Sequence, residues 1–282
     1  MYDLTQHGAD DSTYAAAPPR LPTPSLLLTA CELGRFSVEL STSLLVDALV
    51  PAAAEGQGRP VLVLPGFYSP DGATRRCRSH LRRLGYAPHG WGLGRNYGLT
   101  DEIIDGVLAR FDEVSAGHDE AVSVVGWSFG GLLARWVAHQ RPDSVRRVIC
   151  LGSPYRPEGE HTRTTPLFER TARTHGLSTR ALDVVETLRR PLPVPATAIH
   201  SRSDGMVNWR GCALDEGDGE NISVPSSHLG LLTNPISLAV LADRLAQDPQ
   251  DPEPFEWSRC LSRGFLGRPD APTGTRAEPA VA

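Results

Sequence analysis

The chain of 282 residues contains no lysine, so arginine carries all of the strongly basic charge. That bias is typical of a GC-rich genome and says little about chemistry. Acidic side chains outnumber basic ones by 33 to 28, which leaves a formal net charge of −5 at pH 7. Nucleic-acid-binding domains usually carry an excess or a patch of positive charge. We therefore expect no nucleic-acid partner.

Closely spaced metal ligands are also lacking. The five cysteines are scattered without a Cys-x-x-Cys pair, and no His/Asp cluster has the spacing of a zinc site. We therefore expect neither a metal nor another cofactor. The odd number of cysteines argues against a complete disulfide framework. A single bridge between Cys150 and Cys212 stays open, because both follow predicted strands near the same sheet edge.

Long uncharged apolar runs are absent as well. Residues 25–50 come closest, but this leucine-rich segment contains Glu32, Arg35, Glu39 and Asp47. Charges at that density exclude a simple membrane-spanning helix. The N-terminal residues are polar and slightly acidic, without the basic start and apolar core of a signal peptide. We expect a cytoplasmic protein with reduced thiols.

The spacing within residues 25–50 indicates an amphipathic helix instead. Its apolar stripe consists of Leu26, Ala30, Leu33, Phe36, Leu40 and Leu44. Glu32, Arg35 and Glu39 form a second stripe and can pair along one face. Because amphipathic helices usually bury their apolar stripe, we expect this one to pack on the domain. The alternative is a helix that guards the pocket or makes transient contact with a membrane surface.

From residue 60 onward, apolar β-type runs alternate with helical patterns. The predicted strands are Val61–Leu64, Ala87–Trp91, Ala121–Trp127, Val145–Leu151, Ala196–His200 and Asn221–Val224. The predicted helices are Asp71–Leu84, Thr100–Val114, Leu132–Gln140 and Pro235–Gln247, with N-caps at Asp71, Thr100 and Asn234. This alternation predicts an α/β fold, with a mostly parallel sheet and helices on both faces. In such sheets the chemistry gathers at the carboxyl ends of the strands.

Composition divides the chain into three parts. Residues 1–22 are rich in Ala, Pro, Asp and Ser, which predicts disorder. Residues 23–247 carry the α/β pattern, interrupted by a polar, arginine-rich insertion over residues 155–192. Helical stretches are predicted within this insertion at Pro166–Thr174 and Ser178–Arg189. Residues 248–282 are rich in Pro, Gly and charge and predict a tail that wraps the surface or hangs free.

The most informative stretch is the predicted strand that ends in Gly126-Trp127-Ser128-Phe129-Gly130 and leads into a helical pattern. A strand, Gly-x-Ser-x-Gly and a helix, in this order, are the context of a nucleophile elbow. The tight turn forces the serine into a strained conformation that exposes its hydroxyl. Gly126 and Gly130 are needed because side chains there would collide with neighbouring backbone. The motif predicts a serine hydrolase with Ser128 as the nucleophile.

A serine nucleophile needs a base and an orienting acid, which follow it in the order Asp or Glu, then His. His228 lies in a loop just after the last predicted strand and is our candidate for the base. Asp204 directly follows the preceding strand and is the candidate for the acid. Asp215 and Glu216 lie in a later polar loop and are the alternatives. The remaining histidines beyond the elbow helix fall in the insertion or inside a strand run: His161, His175 and His200.

The oxyanion that develops during acyl transfer needs preorganised N–H donors. The amide of Phe129, directly after the nucleophile, is one candidate. The amide of Phe67 in the loop after the first strand is the other, and Gly66 lets the backbone approach closely. The residues expected to wall an apolar substrate pocket are Gly66, Tyr68, Trp91 and Trp127.

Together these motifs resemble those of α/β-hydrolase-fold serine esterases and lipases, over residues 60–247. The resemblance rests on Val61-Leu62-Val63-Leu64-Pro65-Gly66-Phe67, Gly126-Trp127-Ser128-Phe129-Gly130-Gly131, Ser203-Asp204-Gly205 and Ser227-His228. The segment Trp91-Gly92-Leu93-Gly94-Arg95-Asn96 is similar to that of a bacterial, lipase-like subgroup. The resemblance implies a triad of Ser128, Asp204 and His228, with residues 155–192 as a helical cap or lid. Many members have His-Gly where this chain has Pro65-Gly66. The difference does not remove the backbone amide of Phe67 as a donor.

The sequence therefore predicts a hydrolase that cleaves carboxylic esters through an acyl-enzyme intermediate. The substrate is expected to be a small-molecule ester or a lipid-like one. An acyltransferase or a thioesterase would use the same triad, and sequence does not separate these activities from ester hydrolysis. A non-catalytic binding protein on a hydrolase scaffold is a further alternative, because function resides in sites and not in folds.

Overall fold

The structure, a computed structural model, describes residues 21–49, 56–156 and 162–260. The segment 1–22, which we expected to be disordered, lies outside these ranges except for its last two residues. His161 and residues 261–282 of the expected tail also lie outside them.

Six described strands form one sheet. They are β1 Pro60–Leu64, β2 Ala87–Gly90, β3 Val122–Trp127, β4 Val145–Leu151, β5 Ala196–His200 and β6 Glu220–Ser223. Neighbouring strands pair in parallel, in the order β2-β1-β3-β4-β5-β6. The predicted parallel sheet is confirmed, and each strand lies within a residue or so of its expected bounds.

The strand order determines where a ligand can bind. The chain runs from β1 outward to β2 and then returns to β3 on the other side of β1. Helical crossovers therefore leave β1 and β3 in opposite directions, and a crevice opens outside their carboxyl ends. The loop after β1 and the Ser128 turn after β3 both lie at this point.

Seven described helices flank or cap the sheet. They are α1 Leu26–Leu49, α2 Arg75–Arg83, α3 Asp101–Ala116, α4 Phe129–Gln140, α5 Thr165–His175, α6 Ala181–Leu188 and α7 Pro235–Ala246. Alternate strand residues face opposite sides of the sheet. Leu62 and Leu64 pack in one core cluster with α3 and α4, whereas Val61 and Val63 pack in another with α2 and α7. Both faces of the sheet are therefore covered, as a parallel sheet requires.

Two of the three predicted helix caps are confirmed. The side chains of Thr100 and Asn234 accept backbone N–H groups in the first turns of α3 and α7. Asp71 does not cap a helix, because a 3₁₀ turn follows it and α2 begins only four residues later. Its carboxylate instead accepts from Nη2 of Arg78 at 2.6 Å, so an ion pair has replaced the cap.

The predicted insertion contains α5 and α6, which connect β4 to β5. Val184 and Leu188 of α6 pack into the core cluster beside α4. Arg135 of α4 is 1% exposed and donates to the carbonyl of Leu188 at 3.0 Å and to that of Arg190 at 3.2 Å. A buried guanidinium therefore anchors the end of the insertion to the elbow helix.

Helix α1 packs through a polar face and not through the apolar stripe that we expected. Four of the six stripe residues are exposed, among them Leu26 at 73% and Leu33 at 70%, and the other two are half-buried, whereas Glu32 is 3% exposed. The inner face meets the polar backbone of the loops after β5 and β6, and buried N–H groups there need acceptors. The expectation of an apolar stripe turned toward the domain is therefore wrong. No helix among the described residues is long and apolar enough to cross a bilayer.

Two further features concern the cysteines and the tail. Cys150 and Cys212 are separate buried free thiols, so the bridge that the sequence left open is not formed. The described part of the tail wraps the surface: the amide of Phe255 donates to Glu220 at 2.8 Å, and Cys260 is buried beside α7.

Candidate active site

Ser128 lies in the turn between β3 and α4 with φ 52° and ψ −123°. A non-glycine residue held in this region costs about 1–3 kcal/mol and persists only where the surroundings impose it. The neighbouring glycines are required, as predicted. A Cβ at Gly126 would lie 2.3 Å from the Gly130 carbonyl oxygen, and one at Gly130 would lie 2.4 Å from that of Leu64. The elbow has no room for side chains at these two positions.

Asp204 and His228 are buried and in contact, with Asp204 Oδ2 2.6 Å from His228 Nδ1. The other carboxylate oxygen accepts from the amides of Met206 and Val207, each at 2.8 Å. An ionised carboxylate only accepts hydrogen bonds, so it holds the proton on Nδ1 and leaves Nε2 to accept. The alternative acid Asp215 is exposed and pairs with Arg156.

The charge environment favours the protonated form of His228. Burial lowers its pKa, but the carboxylates of Asp204 and Glu32 outweigh burial, so the pKa lies above its ordinary value of 6.5. A base in such surroundings is stabilised once it has taken up a proton.

The imidazole of His228 is held beside the elbow. Trp127, which directly precedes the nucleophile, donates from Nε1 to the His228 carbonyl at 3.0 Å. Its ring is tilted 39° against the imidazole with centroids 5.6 Å apart. On another side, a Cβ at Gly152 would lie 3.3 Å from Nδ1. These contacts place His228 next to the turn that carries Ser128.

The two predicted oxyanion donors lie on either side of the crevice between the carboxyl ends of β1 and β3. Phe67 follows β1, and Phe129 is the first residue of α4. Neither amide N–H has a hydrogen-bond acceptor within the described part of the chain. A Cβ at Gly66 would lie 3.2 Å from Cβ of Ser128, so the loop comes close to the nucleophile because this residue is glycine.

Sequence reasoning missed Asn96, which holds this loop in place. Its side chain is fully buried and donates from Nδ2 to the Pro65 carbonyl at 2.9 Å. The backbone carbonyl of Asn96 accepts from the amide of Tyr68 at 2.6 Å. Tyr68 has φ 59°, another strained conformation next to the Phe67 amide. Asn96 was noted only within the segment that resembles a bacterial subgroup, and nothing else in the sequence indicates its role.

A cavity of about 140 Å³ opens beside Ser128. Its lining comes from the elbow, the loop after β1 and the insertion. The residues are Phe67, Leu99, Ser128, Phe129, Leu132, Pro154, Tyr155, Thr162, Thr164, Thr165, Phe168, Val185, Leu188 and Val207. Most of these side chains are apolar, which suits an apolar acyl group better than a charged one.

The residues predicted to wall the substrate pocket do not line this cavity. Trp91 is fully buried in the core and donates from Nε1 to the Gly94 carbonyl at 3.1 Å. Trp127 contacts His228, and Tyr68 is 41% exposed beneath the Arg95 guanidinium. Gly66 touches the nucleophile itself. None of these four residues lines the described cavity, because it extends from the elbow toward the insertion and not toward β2.

The insertion reaches the site through Phe168 of α5. The Phe168 ring lies 5.2 Å from that of Phe67 and 5.9 Å from that of Phe129, measured between centroids. A Cβ at Gly98 would lie 2.9 Å from the Phe168 ring. The three phenyl rings therefore form a continuous apolar cluster in the wall of the cavity.

Among the described residues no group of three or more His, Cys, Asp or Glu side chains is arranged to hold a metal ion.

Comparison with known proteins gives one family match and several structural ones. A family model described as the α/β hydrolase fold matches residues 96–193. A curated relative, the polyketide synthase ThaQ of Burkholderia thailandensis, is 31% identical over 108 residues. That stretch covers 36% of this chain and only 5% of the relative.

Two solved lipases share the architecture. Aspergillus fumigatus lipase B is 21% identical with a TM-score of 0.56, and the match covers 77% of this chain and 60% of that one. Bacillus licheniformis lipase BlEst2, in its mature form, is 15% identical with a TM-score of 0.51, covering 67% of this chain and 92% of that one. At these identities the likeness concerns the fold alone. With the parallel sheet and the partial family match, it shows that the chain has the α/β-hydrolase fold.

Proposed function

We propose that the protein is a serine hydrolase that cleaves carboxylic esters through an acyl-enzyme intermediate. The observation that carries this proposal is the buried contact of Asp204 with His228 beside a strained Ser128. The apolar cavity next to this serine supports an ester with an apolar acyl group, small or lipid-like.

The steps follow from the roles of these groups. His228 Nε2 takes the proton of Ser128 as Oγ attacks the ester carbonyl, and Asp204 stabilises the resulting imidazolium. The amides of Phe67 and Phe129 donate to the oxyanion. The imidazolium then protonates the leaving alkoxide as the carbon–oxygen bond breaks. Water, deprotonated by the same base, attacks the acyl-enzyme and releases the acid.

The test is hydrolysis of p-nitrophenyl esters from acetate to palmitate by the wild type and Ser128→Ala. Ser115→Ala, a change in the last turn of α3, is the matched control. We expect turnover by the wild type and the control, and its loss in Ser128→Ala. Turnover that survives in Ser128→Ala would refute the nucleophile. No wild-type turnover on any ester would refute ester hydrolysis and favour a binding protein on this scaffold.

The short match to a protein named as a polyketide synthase favours a second candidate, cleavage or transfer of an acyl group held as a thioester. The same nucleophile and base would attack a thioester carbonyl. Ethyl hexanoate and the thioester S-hexanoyl-N-acetylcysteamine separate these activities. The kcat/KM for each substrate is divided by the rate constant for its uncatalysed hydrolysis by hydroxide. A larger normalised kcat/KM for the thioester would identify a thioesterase. Ester formation with an added alcohol would identify an acyltransferase.

We also propose that the outer face of α1 contacts the surface of a neutral lipid or ester aggregate. Its exposed large side chains are all apolar: Leu26, Leu27, Leu33, Val38, Leu44 and Leu45. None of the four charged residues of α1 lies on this face. The preceding segment is held beside the cavity lining, because Arg163 donates to the Pro24 carbonyl and Asn208 to that of Pro22. Thr162, Thr164 and Val207, their neighbours in the chain, line the cavity. An uncharged face beside the cavity suits a neutral aggregate better than a charged partner.

Cys31 allows a direct test, because it is exposed on this helix and the other four cysteines are buried. An environment-sensitive dye on Cys31 should shift to the blue with phosphatidylcholine vesicles. The shift should weaken in Leu33→Ser and persist in the control Leu182→Ser, which changes an exposed leucine of α6. No shift would refute the proposal, as would a concentration-dependent dimer that Leu33→Ser dissociates.

A cytoplasmic location also stays a proposal. It is supported by the five free thiols, four of which are buried. Cells that express the full chain would be quenched with acid and their proteins alkylated under denaturing conditions, and mass spectrometry would then count the thiols that were free in the cell. Five alkylated cysteines are expected, whereas a disulfide formed in the cell would contradict the proposal.

A further inference from the structure

Glu32 lies on the inner face of α1, opposite the two loops that carry the acid and the base. Only 4% of its side chain is exposed. The Asp204 loop follows β5 and the His228 loop follows β6, so neighbouring strands deliver both loops to one sheet edge. Helix α1 crosses this edge, and Glu32 faces the point where the loops meet.

The carboxylate of Glu32 joins the two loops through their backbones. Its Oε1 accepts from the amide of Gly205, the residue after the acid, at 2.8 Å. The same oxygen accepts from the amide of His228 at 3.1 Å. Its Oε2 accepts from the amide of Leu229 at 3.2 Å. One buried side chain therefore accepts from three N–H groups next to the proposed catalytic pair.

Neighbouring residues of α1 hold Glu32 in this position. Thr29 donates to the Gly205 carbonyl at 2.6 Å, and Arg35 donates to the Ser203 hydroxyl at 2.8 Å. Glu39 accepts from the amide of Ser227 at 2.7 Å. Each of these contacts secures one loop, whereas Glu32 bridges both.

We propose that Glu32 is a positioning residue that holds Asp204 and His228 in register and places a second negative charge beside the base. The inference rests on the proposed role of His228 as the base. Among the described residues, the ionisable groups that face His228 are Asp204 from the loop after β5 and Glu32 from α1, and Arg35 lies 3.9 Å from Glu32. The Glu32 charge contributes to the raised pKa of His228.

A carboxylate suits this position for two reasons. It can accept from several N–H groups without offering a donor, whereas glutamine would turn its NH₂ group toward at least one of these amides. It also carries a charge that stabilises the imidazolium formed when Ser128 is deprotonated. Glu32→Gln therefore removes both contributions with almost no change in shape.

The test combines two measurements on the full chain. The pKa of His228 is measured by NMR titration of ¹⁵N-histidine-labelled protein, and kcat and KM are measured against pH with a soluble short-chain ester. The variants are Glu32→Gln, Glu32→Asp and the matched control Glu39→Gln, which removes a carboxylate of the same helix that contacts Ser227.

We expect Glu32→Gln to lower the pKa of His228, so that the acid limb of kcat/KM moves to lower pH. Its kcat should fall about tenfold, the equivalent of one lost charge-assisted hydrogen bond. KM should not change, because Glu32 does not line the cavity. Glu39→Gln should leave the acid limb in place.

Glu32→Asp separates position from charge and serves if Glu32→Gln does not fold. It keeps the charge but shortens the reach, so the pKa of His228 should stay near the wild-type value while kcat falls. An unchanged pKa in Glu32→Gln, or a wild-type kcat in Glu32→Asp, would overturn the inference. If the wild type hydrolyses no ester, the proposed function fails, but the NMR titration still decides whether Glu32 acts on His228.

Discussion

Lengthening the acyl chain of an ester substrate should raise kcat/KM only until the cavity beside Ser128 is filled. That cavity measures about 140 Å³, and an apolar protein cavity of about 150 Å³ holds one benzene molecule. The described cavity therefore has room for about six carbons. Each buried methylene contributes about 0.8 kcal/mol, which corresponds to about a fourfold gain in kcat/KM. Because the cavity opens to solvent, longer chains should give a plateau, since their further carbons stay in water.

The perturbation that tests this reasoning is Val185→Phe, which enlarges a side chain of α6 in the cavity wall. Leu182→Phe is the matched control, because it changes an exposed residue of the same helix. Values of kcat/KM are measured on p-nitrophenyl esters from acetate to palmitate, below the concentration at which the long esters aggregate. Val185→Phe should shorten the acyl chain at which kcat/KM stops rising, and Leu182→Phe should leave that chain length unchanged.

Two results would refute the reasoning. A gain that continues at the same slope to palmitate would mean that the acyl chain binds outside this cavity. If Val185→Phe leaves unchanged the chain length at which kcat/KM stops rising, α6 does not limit the acyl site.

Three further predictions concern the acid, the attachment of α1 and the elbow. Asp204→Asn should lower kcat about 10⁴-fold because the imidazole then adopts the wrong tautomer. A loss of kcat below tenfold in steady-state kinetics would contradict this prediction. Burial raises the pKa of Asp47, but ion pairs with arginines of α2 outweigh burial and hold it at about 2. A lowered pKa adds stability that is lost on acidification, so the gap in unfolding free energy between the wild type and Asp47→Asn should close as the pH falls from about 4 to about 2. A gap independent of pH would count against the ion pairs. Gly130→Ala should lower the unfolding free energy by at least about 2 kcal/mol, because its Cβ meets the Leu64 carbonyl. The control Gly34→Ala should not lower the unfolding free energy, because its Cβ meets nothing within 4 Å. Equal melting temperatures for the two variants would contradict the steric argument.

The sheet and the elbow were predictable because local sequence determines them. Runs such as Val61–Leu64 are apolar throughout and too short for a helix, which indicates strands buried on both faces. Gly126 and Gly130 mark the positions where the backbone approaches too closely for a side chain. The chain order of Ser128, Asp204 and His228 then places each candidate after a strand at one sheet edge.

The orientation of α1 could not be predicted in the same way. Residue spacing shows which side chains share a helix face but not which face turns inward. The contacts that decide it are the amides of Gly205, Ser227 and His228, which lie far away in the sequence. Glu32 and Glu39 were read as partners for Arg35 because the backbone groups they accept from cannot be seen in the sequence.

The described cavity was not predicted because much of its wall comes from the insertion. Phe168 and Val185 lie in polar, arginine-rich surroundings, and nothing in their spacing separates a cavity wall from an ordinary helix. Trp91 looked like a wall because it follows a strand at the correct edge. Its ring turns into the core below that edge, and a sequence pattern does not specify this direction.

The hydrogen bonds between α1 and the two loops also affect the order in which parts of the chain fold. The contacts of Glu32 with Gly205 and with His228 span 173 and 196 residues. Such sequence-distant contacts are slow to form, because a long loop must close before they contribute any stability. During synthesis α1 leaves the ribosome ahead of every described strand of the sheet, whereas its partners Gly205 and His228 follow 173 and 196 residues after Glu32. The helix therefore lacks its polar partners until both loops have been synthesised, and α1 can brace the pair Asp204 and His228 only after that.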